Sequence, residues 1–383
     1  MINTIFFMAL LMLYAVLIII SSVKNMGNKH VAGSQTIFDR TITDSIRGIS
    51  IIMIMFAHIV QQLGDRLVIM LPGGAVYRRV VLSWGAVGVG IFFLLSGYGN
   101  TASLAKLYDQ AENASAKIRF KNTLAWLFRK LMVLLTGFVI CFIFVVVTLK
   151  IFGVLNMDMR GILSEFAKLK IPECSTWYLK IQGLMYICSA ASVHIAASLA
   201  ANKKEKKNYK KLYTIILLIM SVLYYGVARY IGKLPDYWWK TILCFWVGTM
   251  VYVYKKTIDR LAQNWLATVG CSAVSFLLPY TYILLVRGYT IFHLFAYVGV
   301  SFGICLLLDS YLVHNELFKR VGKFSLELYL VHIGCMTLFN WKLPQQIENY
   351  AVIIHILLFV VISLTLGLMA HILAKRISSL LLK

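Results

Sequence analysis

The chain has 383 residues, of which 60% are hydrophobic and only 14% charged, and its mean hydropathy is +0.79. Soluble domains carry about 25% charged residues, so this composition excludes an ordinary soluble protein and indicates a polytopic helical membrane protein. The net charge of +23 belongs to connections between apolar segments, and we do not expect nucleic-acid binding because no basic soluble module is present to carry it.

Eleven apolar segments have about the length of a membrane span, at roughly 3–22, 48–63, 84–105, 131–152, 178–200, 212–232, 238–254, 265–286, 289–308, 324–340 and 350–374. Alternate connections hold 25 of the 38 Lys and Arg. The positive-inside rule places these connections in the cytoplasm, which predicts an outer N-terminus and a cytoplasmic C-terminus. The first segment lacks both a preceding basic residue and a convincing cleavage site, so we expect a retained helix.

Arg47 and His58 are two ionisable residues in one apolar helical segment. They are eleven residues apart, which is within about 20° of three full turns, so both share one helix face about 16 Å apart along the axis. Taken alone, Arg47 is explained as an anchor to lipid phosphate, and His58 as a histidine packed between helices. Together, with Asp44 one turn before Arg47, they indicate a phosphate grip and a proton-transfer group.

The segment 85–100, GAVGVGIFFLLSGYGN, combines four glycines with Ser96 and Asn100. Small residues allow close helix packing, which explains the glycines without any function. Further on, the basic stretch 117–130 ends in Arg129 and Lys130. It is typical either of a topology signal or of a docking patch for an anionic cofactor.

Two later segments carry aromatic or ionisable residues next to apolar runs. Trp177 and Tyr178 follow a proline on the predicted outer side, as in an interfacial aromatic belt or a sugar-stacking platform. Glu327, Tyr329 and His332 lie inside an apolar segment, where a buried carboxyl group needs a partner or a proton. No spacing of Cys and His typical of a metal site occurs, so we expect no metal.

The order of these motifs resembles the acyltransferase 3 family of integral membrane acyltransferases, in the form without a fused SGNH hydrolase-like domain. The likeness rests on Arg47 with His58, on the string Phe92-Phe93-x-x-Ser96-Gly97, on Trp177-Tyr178, and on Ser325, Tyr329, Leu330 and His332. It implies an all-α fold with a ten-helix core at 44–374. The remaining parts are then an extra helix at 1–22, a cytoplasmic linker at 23–43 and a cytoplasmic tail at 375–383.

The resemblance implies a bacterial cytoplasmic-membrane O-acetyltransferase that moves an acyl group from cytoplasmic acyl-CoA to a carbohydrate outside the cytoplasm or linked to lipid. His58 is then the base or a transient acyl carrier, and Asp44 and Arg47 complete the catalytic set. Donor binding falls to Arg47, Arg129, Lys130, Ser96 and Asn100, and acceptor binding to Trp177, Tyr178, Glu327, Tyr329 and His332. Membrane lipid and polysaccharide-assembly proteins are the expected partners.

Two other functions fit a polytopic protein with intramembrane Arg and His. One is a transporter or flippase for a lipid-linked saccharide or a small anion, which typically shows pseudo-symmetric halves and interrupted helices. The other is a non-catalytic assembly partner with structural histidines. The sequence shows no repeated halves, and the ordered motifs favour the acyltransferase.

Overall fold

The computed structural model describes residues 38–63, 74–111, 114–172, 174, 176–201, 209–286, 290–310, 315–338 and 349–382. The helix predicted at 3–22 and most of the linker predicted at 23–43 lie outside these residues. Inside them the chain is helical throughout its regular structure, and no strand occurs there.

The described residues form thirteen α-helices, in chain order α1 (Arg40–Leu63), α2 (Gly74–Gln110), α3 (Ala116–Ile151), α4 (Met159–Ala167), α5 (Trp177–Ala201), α6 (Tyr209–Gly226), α7 (Ile242–Val253), α8 (Lys255–Gln263), α9 (Trp265–Leu285), α10 (Phe292–Ser310), α11 (Glu316–Lys323), α12 (Ser325–Leu338) and α13 (Asn349–Leu381). A π-helical turn at Val227–Ile231 continues α6, and a 3₁₀ turn at Asp236–Trp238 precedes α7.

Eight helices of the described part are long and apolar enough to cross a membrane, judged by length and composition: α1, α2, α3, α5, α6, α9, α10 and α13. The predicted class, an all-helical multi-pass membrane protein, is confirmed. The count of eleven spans and the orientation stay predictions. The segment 3–22 is outside the described residues, and α7 and α12 have 12 and 14 residues, fewer than the roughly 20 that a bilayer requires.

Helices α2 and α3 extend well beyond the spans predicted at 84–105 and 131–152. They contain 37 and 36 residues, so each is about 55 Å long at 1.5 Å per residue. Hydropathy detects only the apolar part of a helix, whereas backbone hydrogen bonding continues through polar turns. The sequence therefore located these helices but not their ends.

The chain divides into two compact units. The first comprises residues 1–85, 135–176 and 311–383. Within it, α11 and α12 pack against α1, and α13 packs against α12. Helix α1 supplies much of the core, and Ile46, Ile51 and Ile54 are almost inaccessible.

Helices α1 and α11 cross in backbone contact through a pair of glycines. A Cβ atom added at Gly322 would lie 2.6 Å from the carbonyl carbon of Asp44, and one added at Gly48 would lie 2.7 Å from that of Phe318. Each helix therefore uses a glycine to admit the other's backbone, as small residues do in membrane helix pairs.

The second unit comprises residues 86–134 and 177–310. Its consecutive helices α5, α6 and α7 pack pairwise, α7 also contacts α10, and α9 pairs with α10. Gly97 of α2 admits the backbone of Phe245, and Gly248 of α7 admits that of Leu94, with added Cβ atoms 2.9 and 2.8 Å from the carbonyl carbons. The packing interpretation of the glycine-rich segment is thus confirmed at Gly97.

Candidate active site

Helix α1 leaves very few of its side chains accessible. Between residues 42 and 60 only Arg47, Ile52 and His58 are not buried. Arg47 and His58 lie on one continuous helix and within about 20° of the same face, whereas Ile52 points about 140° away from Arg47. The two ionisable side chains therefore combine a shared face with partial accessibility, which a reacting group requires.

His58 is in contact with a second histidine of the same unit. Its Nδ1 lies 2.7 Å from Nε2 of His332 on α12, and the two rings are stacked with centroids 5.0 Å apart. The Nδ1 of His332 lies 2.8 Å from the carbonyl oxygen of Tyr329 and 3.1 Å from that of Leu328. His332 itself has no accessible surface.

The carbonyl partners determine where the protons of this pair lie. A carbonyl oxygen can only accept, so Nδ1–H of His332 donates to it and the Nε2 of a neutral His332 ring carries a lone pair. His58 then donates its Nδ1–H to that lone pair, and Nε2 of a neutral His58 ring is left as an unprotonated base. Both nitrogens of His332 are occupied, which favours a role in positioning His58 over the predicted role in acceptor binding.

Arg47 is held by Asp44, one turn earlier on α1. The guanidinium Nη1 lies 3.2 Å from the Asp44 carboxylate, whose side chain is 10% exposed, while the Arg47 side chain is 35% exposed. The backbone of Asp44 is also the group that Gly322 of α11 approaches. The α1–α11 crossing therefore holds the backbone of Asp44, the ion pair holds the Arg47 guanidinium at Nη1, and the Arg47 side chain stays partly exposed.

Glu327 contacts His371 on α13, a residue that is not among the predicted site residues. Its Oε1 lies 3.3 Å from Nδ1 of His371, a close contact without the alignment of a hydrogen bond. Glu327 precedes His332 by five residues, so the two side chains point about 140° apart on α12. The apolar run 350–374 contains two histidines, His355 and His371, and an ionisable residue in such a run was the signal that could have identified His371.

Tyr329 is buried against the histidine pair, and its ring centroid lies 5.8 Å from that of His332. Six of the predicted site residues thus belong to the first unit: Asp44, Arg47, His58, Glu327, Tyr329 and His332. The other six, Ser96, Asn100, Arg129, Lys130, Trp177 and Tyr178, belong to the second unit.

In the second unit the aromatic motifs of α2 and α5 meet. The Tyr178 ring lies 6.0 Å from that of Phe92 and 5.0 Å from that of Phe93, and Trp177 packs on Tyr237 at 5.5 Å. Tyr178 is buried, whereas Trp177 remains partly accessible. Of the predicted aromatic pair, Trp177 is therefore the ring that is available for stacking on a sugar.

The polar and basic residues predicted to bind the donor differ in accessibility. Ser96 is partly accessible, and Asn100 is buried with an Nδ2 atom that makes no hydrogen bond to the described residues. Arg129 is exposed, and the ammonium of Lys130 lies 5.7 and 5.9 Å from the ring centroids of Trp126 and Tyr186. In the part of the chain described, no three His, Cys, Asp or Glu side chains converge on a common point.

The aromatic turn at 236–240 is partly structural. Trp239 is buried, and together with Tyr225 and Tyr230 it surrounds the Arg229 guanidinium, whose Nη1 donates to the Tyr225 hydroxyl at 2.5 Å. These contacts favour a structural packing role for Arg229.

A family model described as "Acyltransferase domain" matches residues 42–372, which is most of the chain. No curated protein matches the sequence, and no solved structure matches it. The matched range includes Arg47 and His58 of α1, His332 of α12, and His371 of α13.

Proposed function

The chain belongs to the acyltransferase 3 family, and on that premise we propose that it is a membrane O-acetyltransferase. Its donor is cytoplasmic acyl-CoA, chiefly acetyl-CoA, and its acceptor is a hydroxyl group of an extracytoplasmic or lipid-linked carbohydrate. Membership of this family favours an acyltransferase over a transporter or flippase. The observation that carries the proposal is the hydrogen-bond order of the histidine pair, which leaves Nε2 of His58 free to accept a proton.

The proposed reaction is a general-base acyl transfer. His58 Nε2 takes the proton of the sugar hydroxyl as the oxygen attacks the thioester carbonyl, forming a C–O bond and a tetrahedral oxyanion. The C–S bond then breaks, and the departing thiolate receives the proton from His58. His332 holds the His58 ring in the reactive tautomer throughout, as an orienting residue does in catalytic triads.

The alternative is nucleophilic catalysis by the same nitrogen. Nε2 of His58 attacks the thioester carbonyl first, the C–S bond breaks and CoA leaves as its thiolate. The sugar hydroxyl oxygen then attacks the acyl-imidazole, the C–N bond breaks, and the hydroxyl proton passes by way of the freed Nε2 to the thiolate. Both routes require the same lone pair. The covalent route predicts ping-pong kinetics and a labelled protein when the acceptor is withheld, whereas the direct route predicts neither.

Arg47 is the proposed grip for a donor phosphate, because its guanidinium keeps accessible N–H groups while Asp44 fixes its position. Arg129 and Lys130 are proposed as further phosphate contacts. Ser96, Asn100 and Tyr329 are candidates for stabilising the oxyanion, since each carries a hydrogen-bond donor.

Trp177 is the proposed stacking platform for the acceptor, with Tyr178 packed behind it against Phe92 and Phe93. An accessible indole ring next to a supporting aromatic layer suits the apolar face of a pyranose. Glu327, which faces His371, is proposed to act on the acceptor only through the position of α12.

The decisive experiment uses the purified full-length protein in proteoliposomes with acetyl-labelled CoA, and surface glycans of cells with and without the protein. We expect base-labile acetyl esters that require His58, so His58→Ala reduces transfer at least 10²-fold. His355→Ala, which removes another histidine from an apolar helix, is the matched control. A folded His58→Ala protein that acetylates at the wild-type rate contradicts the proposed mechanism.

Arg47 is tested by shortening the donor. Arg47→Gln is expected to raise KM for acetyl-CoA about tenfold, which corresponds to the loss of one charge-assisted hydrogen bond. The same substitution leaves KM for S-acetylpantetheine unchanged, because that donor lacks the nucleotide phosphates. Equal KM increases for both donors contradict a phosphate contact.

A further inference from the structure

Two short segments of the second unit meet through paired side chains. In the first turn of α5, Trp177 and Lys180 are three residues apart and are therefore neighbours on the helix surface. The turn before α7 supplies Tyr237 and Trp238. The Trp177 ring lies 5.5 Å from that of Tyr237, and the ammonium of Lys180 lies 6.0 Å from the centre of the Trp238 ring. None of the four side chains is buried, and together they form a partly accessible surface that we call the aromatic–lysine platform.

The turn that carries the two outer rings of the platform is fixed by its own contacts. An ion pair of 2.7 Å joins Asp236 to Lys240 across the turn, and Trp239 is buried beneath it. The carbonyl oxygen of Trp238 accepts a hydrogen bond of 3.0 Å from the hydroxyl of Tyr224 on α6. The turn therefore holds the Trp238 ring in position, and the Asp236 carboxylate is already engaged by Lys240.

Lys180 lies well inside the apolar part of the helix bundle. Helices α2 and α5 run parallel, because Tyr178 contacts Phe92, and His194 and Tyr108, each sixteen residues further along its own helix, are also in contact. Lys180 follows Tyr178 by two residues, so its backbone is level with the middle of the apolar span predicted within α2. Helix α5 is itself apolar and long enough to cross a membrane. A lysine at this depth therefore needs a physical reason beyond topology.

The charge of Lys180 has no anion among the described residues. Within that part of the chain its ammonium makes no ion pair and no hydrogen bond, and its interaction is with the Trp238 ring. A cation–π contact contributes about 0.5–2 kcal/mol and leaves the charge uncompensated. Ionisable residues in membrane helices usually pair with one another or mark the path of a substrate. An anion supplied by a ligand would complete the site.

We infer that the acceptor is an anionic sugar, and that Lys180 binds its carboxylate or phosphate while the sugar ring lies on Trp177. The inference rests on the proposed function, in which Trp177 stacks on the acceptor. Side chains three residues apart on a helix have Cβ atoms about 5–6 Å apart, so an equatorial substituent of a stacked pyranose is within reach of the Lys180 ammonium. A sugar hydroxyl would accept a hydrogen bond but leave the charge uncompensated, whereas an anion forms a charge-assisted hydrogen bond.

The donor does not account for Lys180. Its phosphates are assigned in this unit to Arg129 and Lys130, and the ammonium of Lys130 lies 5.9 Å from the centre of the Tyr186 ring on α5. Tyr186 is six residues beyond Lys180, which is about 9 Å along the helix. The pantetheine arm that continues from the phosphates towards the thioester carries no charge. The anion at Lys180 is therefore assigned to the acceptor.

The test measures sugar binding to the purified full-length protein by saturation-transfer NMR titration. The probes are glucose, glucuronic acid and glucose 6-phosphate, which share one ring and differ in charge. Wild type is expected to bind at least one anionic sugar about tenfold or more tightly than glucose, as a charge-assisted hydrogen bond predicts. The tighter of the two anionic sugars identifies the carboxylate or the phosphate as the preferred group. Equal affinity for all three sugars, or no binding of any of them, overturns the inference.

Substitutions assign the preference to one side chain. Lys180→Gln is expected to bring the affinities for anionic and neutral sugars within about twofold of each other, whereas Lys180→Arg keeps the preference because it keeps the charge. Lys233→Gln, which removes an exposed lysine that precedes the same turn, is the matched control and also keeps it. Lys180→Met, which keeps the apolar stem, takes the place of Lys180→Gln if the latter does not fold. An anion preference that survives removal of the Lys180 charge overturns the inference.

Lipid phosphate is the other anion that a membrane lysine can meet. Native mass spectrometry of protein from vesicles of phosphatidylcholine and phosphatidylglycerol is expected to show equal phosphatidylglycerol retention by wild type and Lys180→Gln. Lower retention by Lys180→Gln together with an unchanged sugar preference assigns the lysine to lipid and overturns the inference. Failure of the proposed function gives a different result: acetyl-CoA is then neither bound nor consumed, while the Lys180-dependent preference for an anionic sugar remains.

Discussion

The α1–α11 crossing gives a sharp prediction for Gly322→Ala. The added methyl carbon would lie 2.6 Å from the carbonyl carbon of Asp44 and 3.0 Å from the amide nitrogen of Gly48. Carbon atoms in contact are normally about 3.5–4.0 Å apart, so α11 has to withdraw from α1 by about 1 Å. The opposing atoms are backbone, so no side-chain rotation can relieve the overlap.

The expected cost has two parts. Overpacking of this kind destabilises by about 1–3 kcal/mol, which lowers the thermal unfolding midpoint. The withdrawal also shifts the backbone of Asp44, which positions Arg47 one turn away. A misplacement of about 1 Å can lower catalysis about 10²-fold, so we expect a fall of that order in kcat/KM for acetyl-CoA.

The assay combines thermal unfolding of detergent-purified protein with steady-state kinetics. Gly99→Ala is the matched control, because an added Cβ there meets no atom within 4 Å and α2 gains about 0.5–1 kcal/mol of helix propensity. Gly48→Ala should reproduce the Gly322→Ala defect from the other helix. If Gly322→Ala retains both the wild-type midpoint and the wild-type kcat/KM, the crossing does not position Arg47 and the reasoning fails.

Three further outcomes are expected. His332→Leu lowers kcat about 10²-fold and leaves KM for acetyl-CoA within about twofold of the wild-type value. His332→Gln recovers part of the rate, because its amide oxygen can accept the hydrogen bond from His58. An unaltered kcat in His332→Leu excludes an orienting role. His371→Leu lowers the free energy of unfolding by about 2 kcal/mol because the Glu327 carboxyl is left buried without its partner, and adding Glu327→Leu restores most of it, as chemical denaturation would show. The ammonium group of Lys170 lies 2.7 Å from the Glu165 carboxylate and, together with Lys168, holds the pKa of that carboxyl below its usual value of 4.5. These contacts therefore stabilise α4 at neutral pH by up to about 1 kcal/mol, and this stabilisation is lost as the pH falls through the lowered pKa. Glu165→Gln should unfold at a lower temperature than wild type at neutral pH and at the same temperature as wild type well below pH 4.5.

Relations within one helix could be predicted from the sequence. Helical periodicity alone places Arg47 and His58 on one face, and α1 is continuous from Arg40 to Leu63. The apolar runs likewise located the eight long helices, because hydrophobicity reports the part of a helix that suits lipid. Helix ends were missed where polar turns continue the hydrogen-bonding pattern, as at the start of α2.

Relations between helices could not be predicted, because no local pattern encodes them. The sequence grouped His332 with Glu327 on one segment, but the fold pairs His332 with His58 and Glu327 with His371. Both pairs join residues from distant parts of the chain, and which residues meet depends on how the helices pack against each other.

The hydrogen-bond order of the histidine pair also determines where a proton can travel. From His58 the bonds lead to His332 and then end on helical carbonyl oxygens of Tyr329 and Leu328, which have no proton to pass on. A proton taken up at Nε2 of His58 consequently departs by the atom at which it arrived. The histidine pair therefore does not form a proton-conducting path. The protein can hold an ionisable base within the bilayer without conducting protons through that pair and dissipating the membrane potential.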